Sequence, residues 1–139
     1  MLSLTSEYAL RALSYLARQP QGRSVLGRDL ARKAGVPANY LAKILLSLRR
    51  AGLVATARGT GGGYRLDRAA HRIRLSEIVE LFDGAKARDA CVLDHEHKCH
   101  PATACSAHHA WRDARLAYAH FLTATTLADI ADELANGHS

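Results

Sequence analysis

The chain has 139 residues, 48% of them apolar, which is enough for a hydrophobic core without disulfide staples. Its net charge of +6 is unevenly spread: residues 1–74 carry 14 Lys/Arg against 3 Asp/Glu, a net of +11, and residues 75–139 carry 5 against 10, a net of −5. That asymmetry predicts a polyanionic partner for the first half alone, and the lack of any run of about 18 apolar residues argues against a membrane span.

No stretch near the N-terminus has the layout of a signal peptide, so a cytoplasmic protein is expected. Aromatic residues make up only 6% of the chain and alanine is abundant, which favours helices over a β-sandwich.

In chain order, "SEYALRALSYLARQ" (6–19) spaces Tyr8, Ala9, Ala12, Leu13, Leu16 and Ala17 as one face of an amphipathic helix, with Thr5 or Ser6 as the expected N-cap. "PQGRS" (20–24) breaks it. "VLGRDLARKAG" (25–35) predicts a short helix with Leu26, Leu30 and Ala31 turned inward, and Gly35 is its natural stop. Pro37 is expected in the first turn of the next helix. That helix, "PANYLAKILLSLRRAG" (37–52), buries Leu41, Ile44, Leu45 and Leu48 and turns Asn39, Ala42, Lys43, Leu46 and Arg49 outward. Two short helices joined by a tight glycine turn form a helix-turn-helix.

"GLVATARGTGGGYRL" (52–66) follows. Leu53, Val54 and Thr56 predict one short strand and Tyr64, Arg65 and Leu66 a second, joined through the glycine run as a hairpin. A hairpin directly after a helix-turn-helix is the wing of a winged-helix DNA-binding unit. A phosphate-cradling reading of "GTGGG" fails, because the spacing of neither GxGxxG nor GxxxxGK[ST] is present and no helix begins directly after it.

"LSEIVELFDG" (75–84) predicts a helix capped by Ser76 and stopped by Gly84. Residues 85–105 lack apolar periodicity and contain Pro101, which predicts a loop. "SAHHAWRDARLAYAHFLTA" (106–124) is a long helix with an apolar stripe of Ala110, Trp111, Ala114, Ala117, Tyr118, Phe121 and Leu122. "TTLADIADEL" (125–134) is expected to be capped by Thr126. The long helix is too apolar to stand alone, and a second copy of itself is its simplest partner. The fold class expected is therefore mainly α. It consists of a winged helix-turn-helix DNA-binding region with a two-stranded wing (1–74), then a region with a ligand loop and a long C-terminal dimerisation helix (75–139).

Taken together, "LTSEYALRALSYLA", "VPANYLAKILLSLRRAGLV", "RGTGGGYRL", three cysteines and then "TLADI" make the chain resemble the IscR/NsrR/RirA family of bacterial winged-helix iron–sulfur transcription regulators. The resemblance covers nearly all of the chain. It implies a homodimer that binds pseudo-palindromic double-stranded operator DNA, commonly as a repressor. Its cysteine-bearing members hold an iron–sulfur cluster near the dimer interface and sense iron, nitric oxide or redox state.

All three cysteines and five of the eight histidines fall in "CVLDHEHKCHPATACSAHH" (91–109). Cys91, Cys99 and Cys105 follow a C-x7-C-x5-C pattern, and thiolates are the ligands that iron–sulfur clusters take. The gaps are longer than the C-x2-C pairs of structural zinc sites. Iron–sulfur binding (2Fe–2S or 4Fe–4S) is the leading reading, with a Cys3His zinc site or unligated thiols as alternatives. Three cysteines leave one corner to fill. The resemblance offers His108, three residues after Cys105, and Glu7, supplied by the partner subunit. His95, His97, His100 and His109 are expected to be solvated.

On the DNA side, Ala38, Asn39, Tyr40, Ala42 and Lys43 would lie near base edges, with Asn39 as the adenine reader. Arg28, Arg49 and Arg50 would meet phosphates. Arg58, beside Gly61 and Gly62 at the wing tip, would probe the minor groove. Ala42 departs from members of the resembled family that carry a glutamate there and choose operators differently. An enzyme is not expected, since no Ser–His–Asp or HExxH pattern is present. A zinc- or thiol-based redox regulator and an iron–sulfur carrier or assembly protein are the rival functions. The carrier reading leaves the basic half and the wing without a purpose.

Overall fold

The computed structural model describes residues 2–57, 62–84 and 108–131. The elements are α1 (Leu4–Ala17), α2 (Gly27–Ala34), α3 (Ala38–Arg50), β1 (Val54–Ala57), β2 (Gly63–Leu66), a 3-10 turn (Ala70–Arg72), α4 (Leu75–Asp83) and α5 (His108–Ala124), followed by a helical turn at 127–131.

Helix α1 starts two residues earlier than the apolar spacing suggests. Its N-cap is Ser3, not Thr5 or Ser6: the Ser3 hydroxyl accepts the Ser6 N–H at 3.1 Å. The same Ser3 hydroxyl bonds the Asp83 carboxylate, tying the start of α1 to the end of α4. Gly35 ends α2 in the left-handed region, at φ 70° and ψ 38°, where a side chain would be strained. Pro37 sits at the N-cap of α3 rather than inside its first turn. Ser76 does not cap α4. Arg74 holds that position, and the Glu77 carboxylate accepts the Arg74 N–H at 3.0 Å. Thr126 does cap the last helical turn: its N–H reaches the Asp129 carboxylate at 2.9 Å and its hydroxyl accepts from Asp129 at 3.4 Å.

One core joins these elements. Ala9, Ala12, Leu13 and Leu16 of α1 pack with Leu30 and Ala31 of α2, Leu41, Ile44, Leu45 and Leu48 of α3, Leu53 and Val54 at the base of the wing, and Ile73, Ile78 and Leu127 beyond it. A smaller cluster of Leu75, Val79 and Leu122 seats α5 against α4, with Tyr118 packed beside it. Burial, and secondarily the Asp83 carboxylate, raises the Tyr118 phenol above its ordinary value.

The sheet is a two-stranded antiparallel hairpin in the register Val54↔Leu66, Ala55↔Arg65, Thr56↔Tyr64 and Ala57↔Gly63. Leu53 is buried beneath the hairpin and lies outside the strand. Val25, just before α2, exchanges two backbone bonds with Tyr64, at 2.9 and 2.8 Å. That bridge fixes the wing against the entry to the helix-turn-helix.

Candidate nucleic-acid interface

Helix α3 exists because its apolar residues recur at helical spacing. Leu41, Ile44, Leu45 and Leu48 are at most 2% exposed and key it into the core. The opposite face follows from the same geometry: Ala38, Asn39, Tyr40, Ala42, Lys43, Leu46, Arg49 and Arg50 are all exposed. Helix α3 contains no acidic residue. Among the described residues Lys43, Arg49 and Arg50 take part in no ion pair. Arg28 is exposed in the first turn of α2, the helix packed against α3. Gly62, partly exposed, directly precedes β2 at the tip end of the wing. Arg58 and Gly61, expected at the wing tip, lie outside the described residues.

One residue of the reading face is more constrained than its sequence suggests. The Tyr40 hydroxyl lies 2.7 Å from the Thr5 hydroxyl. Its ring stands edge-on to Tyr8, with centroids 5.5 Å apart and planes at 81°. The Arg11 guanidinium covers the other partner of that pair, 5.7 Å from the Tyr8 centroid. Tyr40 therefore fastens the first turn of α3 to α1. Nothing in the sequence marks Thr5 or Tyr8 as a site residue. They lie more than 30 positions from Tyr40, and periodicity reports only contacts within one element.

Of the expected metal ligands, Glu7 is described. Its carboxylate accepts from Arg11 at 2.7 Å, one helical turn on, with both side chains about half exposed. An ion pair of that exposure is worth about 0–1 kcal/mol, so Glu7 is free to change partners at little cost. His108 is the first residue of α5. Cys91, Cys99 and Cys105 lie outside the described residues, among the 23 residues of the sequence between Gly84 and His108.

Along α5, Leu122 is buried and Trp111, Arg115 and Tyr118 are partly buried. Ala110, Ala114, Ala117 and Phe121 are exposed. Their spacing of four, three and four residues is the heptad pattern of a helix seam.

Among the described residues no helix is long and apolar enough to cross a membrane. Residues 2–133 match the Rrf2 family model, described as an iron-dependent transcriptional regulator. The HTH-type transcriptional regulator IscR of Vibrio campbellii is 34% identical over 131 residues, covering 93% of this chain and 77% of that one. Among solved structures, CymR of B. subtilis, the global cysteine regulator, superposes with a TM-score of 0.77 at 26% identity, covering 95% of this chain and 96% of that one. IscR of T. potens superposes with a TM-score of 0.76 at 24% identity, covering 100% of this chain and 91% of that one.

Proposed function

The chain belongs to the Rrf2 family of transcriptional regulators, and from that premise we propose that it is a homodimer which reads operator DNA with α3 and the wing and switches with the state of an iron–sulfur cluster. It is a DNA-binding regulator and not an enzyme. The observation that carries the reading mode is the outer face of α3, cationic, free of acid and held rigidly by four buried aliphatic side chains.

In this reading α3 enters the major groove, where Asn39 offers the paired donor and acceptor that adenine presents. Arg28, Arg49 and Arg50 neutralise phosphates and set register. Arg58 enters the minor groove, and Gly61 and Gly62 let the wing tip approach the backbone closely. Tyr40 acts by orienting the helix rather than by touching bases. The seam of Ala110, Ala114, Ala117 and Phe121 pairs with its own copy, since small residues allow two helices to come close and Phe121 is otherwise 49% exposed.

The donor set fits an iron–sulfur cluster by its chemistry: three cysteines within one span of the sequence, a histidine that opens α5, and in Glu7 a carboxylate whose present ion pair is weak. Cys91, Cys99 and Cys105 would hold it, with His108 or the partner's Glu7 at the fourth corner. When bound, such a group supplies a centre that iron supply, oxygen or nitric oxide alters, most readily at the corner without a thiolate. The chain's own part is transmission. Helix α5 packs on α4, α4 on α1, and α1 on α3, so two dimer arrangements differing by about 1–3 kcal/mol would change DNA affinity 5- to 150-fold.

Similarity to the global cysteine regulator CymR favours a second reading, in which the three thiols act without iron. Anaerobic purification separates the two. Brown protein with iron and acid-labile sulfide supports the cluster. Colourless protein whose DNA affinity responds to thiol oxidation supports the second reading.

A further inference from the structure

Leu46 is 46% exposed at the middle of the α3 face that carries the basic side chains. At about 100° per residue, it points within roughly 30° of the direction opposite the buried centre formed by Leu41, Ile44, Leu45 and Leu48. Its helical neighbours at three and four residues are Ala42 and Lys43 on one side and Arg49 and Arg50 on the other, and all are exposed. A leucine ringed by cations is poorly placed to meet an apolar protein surface, because burying it would strip water from three positive groups at once. A polyanion with apolar edges suits the same arrangement. The DNA major groove is that surface: phosphates line its rims, and the C5-methyl of thymine is the apolar group that bases display on its floor.

We infer that Leu46, with Ala42 one turn before it, is a specificity residue that packs on thymine methyl groups in the major groove. The inference rests on the reading of α3 as the DNA-contacting helix and adds what that helix selects. Asn39 lies two turns away on the same face, seven residues before Leu46, about 10 Å along the axis. That span corresponds to about three base pairs at roughly 3.4 Å per step. The half-site should then pair an adenine read by Asn39 with a thymine about three steps away. Lys43 between them is left to contact a guanine edge or a phosphate.

Tyr40 supports this division of labour. Its hydroxyl and ring are committed to Thr5 and Tyr8. The sequence-reading surface is thereby narrowed to Asn39, Ala42, Lys43 and Leu46.

The test uses the full-length protein and a duplex selected by the wild type from a random 30-base-pair library. Each thymine in the selected half-site is replaced singly by deoxyuridine, which deletes one methyl and leaves pairing intact. The wild type should lose about fourfold in affinity at one or two positions, the value of one buried methyl-sized group. Leu46→Ala should bind the thymine duplex about as weakly as the wild type binds the deoxyuridine duplex. It should also lose nothing further on methyl removal at those positions. Leu46 is exposed and alanine is a strong helix former, so the variant should retain the wild-type melting temperature and sedimentation coefficient. Equal methyl sensitivity of wild type and Leu46→Ala at every position overturns the inference, as does a wild type insensitive to all the replacements. Failure of the wild type to select any duplex, or a selection unaffected by Arg49→Ala with Arg50→Ala, overturns instead the placement of α3 on DNA.

Discussion

Tyr40 in the first turn of α3 and Thr5 in the first turns of α1 share a hydroxyl–hydroxyl hydrogen bond of 2.7 Å. Both residues lie at the surface, yet the bond joins the helix that would read DNA to the helix that carries Glu7. Tyr40→Phe keeps the ring against Tyr8 and removes only the hydroxyl. Stability should fall by about 0.5–1.5 kcal/mol in urea unfolding. Operator affinity should fall further than Tyr40's own contacts predict, with unchanged base preference, because the helix loses orientation rather than a reader. Thr5→Val should reproduce both effects without touching α3. A changed base preference in Tyr40→Phe would place Tyr40 on a base edge.

Gly63 makes a different kind of junction. A Cβ built there would stand 2.7 Å from the Val25 carbonyl oxygen, against rigid backbone. Gly63→Ala should therefore break the Val25–Tyr64 bridge and cost about 1–3 kcal/mol. Gly27→Ala is the control. Its Cβ would meet only the Tyr64 ring, at 3.5 Å, and it lies in the first turn of α2. It should be neutral or stabilising by up to about 1 kcal/mol. Equal losses in the two variants would mean that close approach at Gly63 is not what the wing requires.

The fold was legible where one face of one element decides it. Leu41, Ile44, Leu45 and Leu48 are the buried residues of α3 that spacing alone indicates, and Gly35 is the left-handed stop that glycine chemistry requires. Helix starts are less legible, because a cap is one hydrogen bond among several competing hydroxyls. Ser3 takes α1 from Thr5 and Ser6, and it also bonds Asp83, 80 residues away, which no local pattern records. At Arg74 the cap is made by Glu77 reaching back, so the serine beside it was misleading. The site was legible as a charged face but not as a network. Tyr40 looks like a reader in sequence, and only the approach of α1 shows that its polar atom is engaged.

Charge at the interface yields a salt-dependent prediction. Arg50 is exposed at the C-terminal end of α3 and unpaired among the described residues. Arg50→Ala should weaken binding evenly across operator variants. The slope of log affinity against log salt should become shallower by about one, the value of one phosphate. Arg58→Ala should instead change sequence preference, as a side chain in the minor groove senses groove width. Salt titrations against two or three half-site variants distinguish these outcomes. Unchanged binding in both would remove α3 and the wing from the DNA.

Dimer formation should fail when the α5 seam is charged. Ala114 is exposed midway between Ala110 and Ala117. Ala114→Glu places two carboxylates against each other across a two-fold axis and leaves the fold of one subunit intact, since the position faces solvent. Sedimentation should show monomers, and DNA affinity should drop by far more than the change in net charge explains. A variant that remains dimeric would locate the interface elsewhere.

If the chain holds the proposed cluster, its fourth ligand is the corner at which the signal would act. Glu7 accepts from Arg11 at 2.7 Å through Oε1, and iron would compete with that guanidinium for the carboxylate. Both side chains are about half exposed, so leaving costs little, and Arg11 retains its place over Tyr8. Loss of any one of Cys91, Cys99 or Cys105 to alanine should abolish or gravely weaken cluster retention. Glu7→Ala or His108→Ala should leave a cluster that forms but has a shifted spectrum and is lost faster under oxygen, nitric oxide or chelator. His108→Cys should slow that loss if His108 is the ligand, because a thiolate holds iron more firmly than an imidazole. Arg11→Ala separates the two ligands further. It frees Glu7 and removes nothing from α5, so it should stabilise the cluster if Glu7 is the fourth ligand and leave it unchanged if His108 is. Wild-type spectra and decay rates in Glu7→Ala, His108→Ala and the double variant together would show that neither residue fills that corner, with His100 then the next side chain to replace.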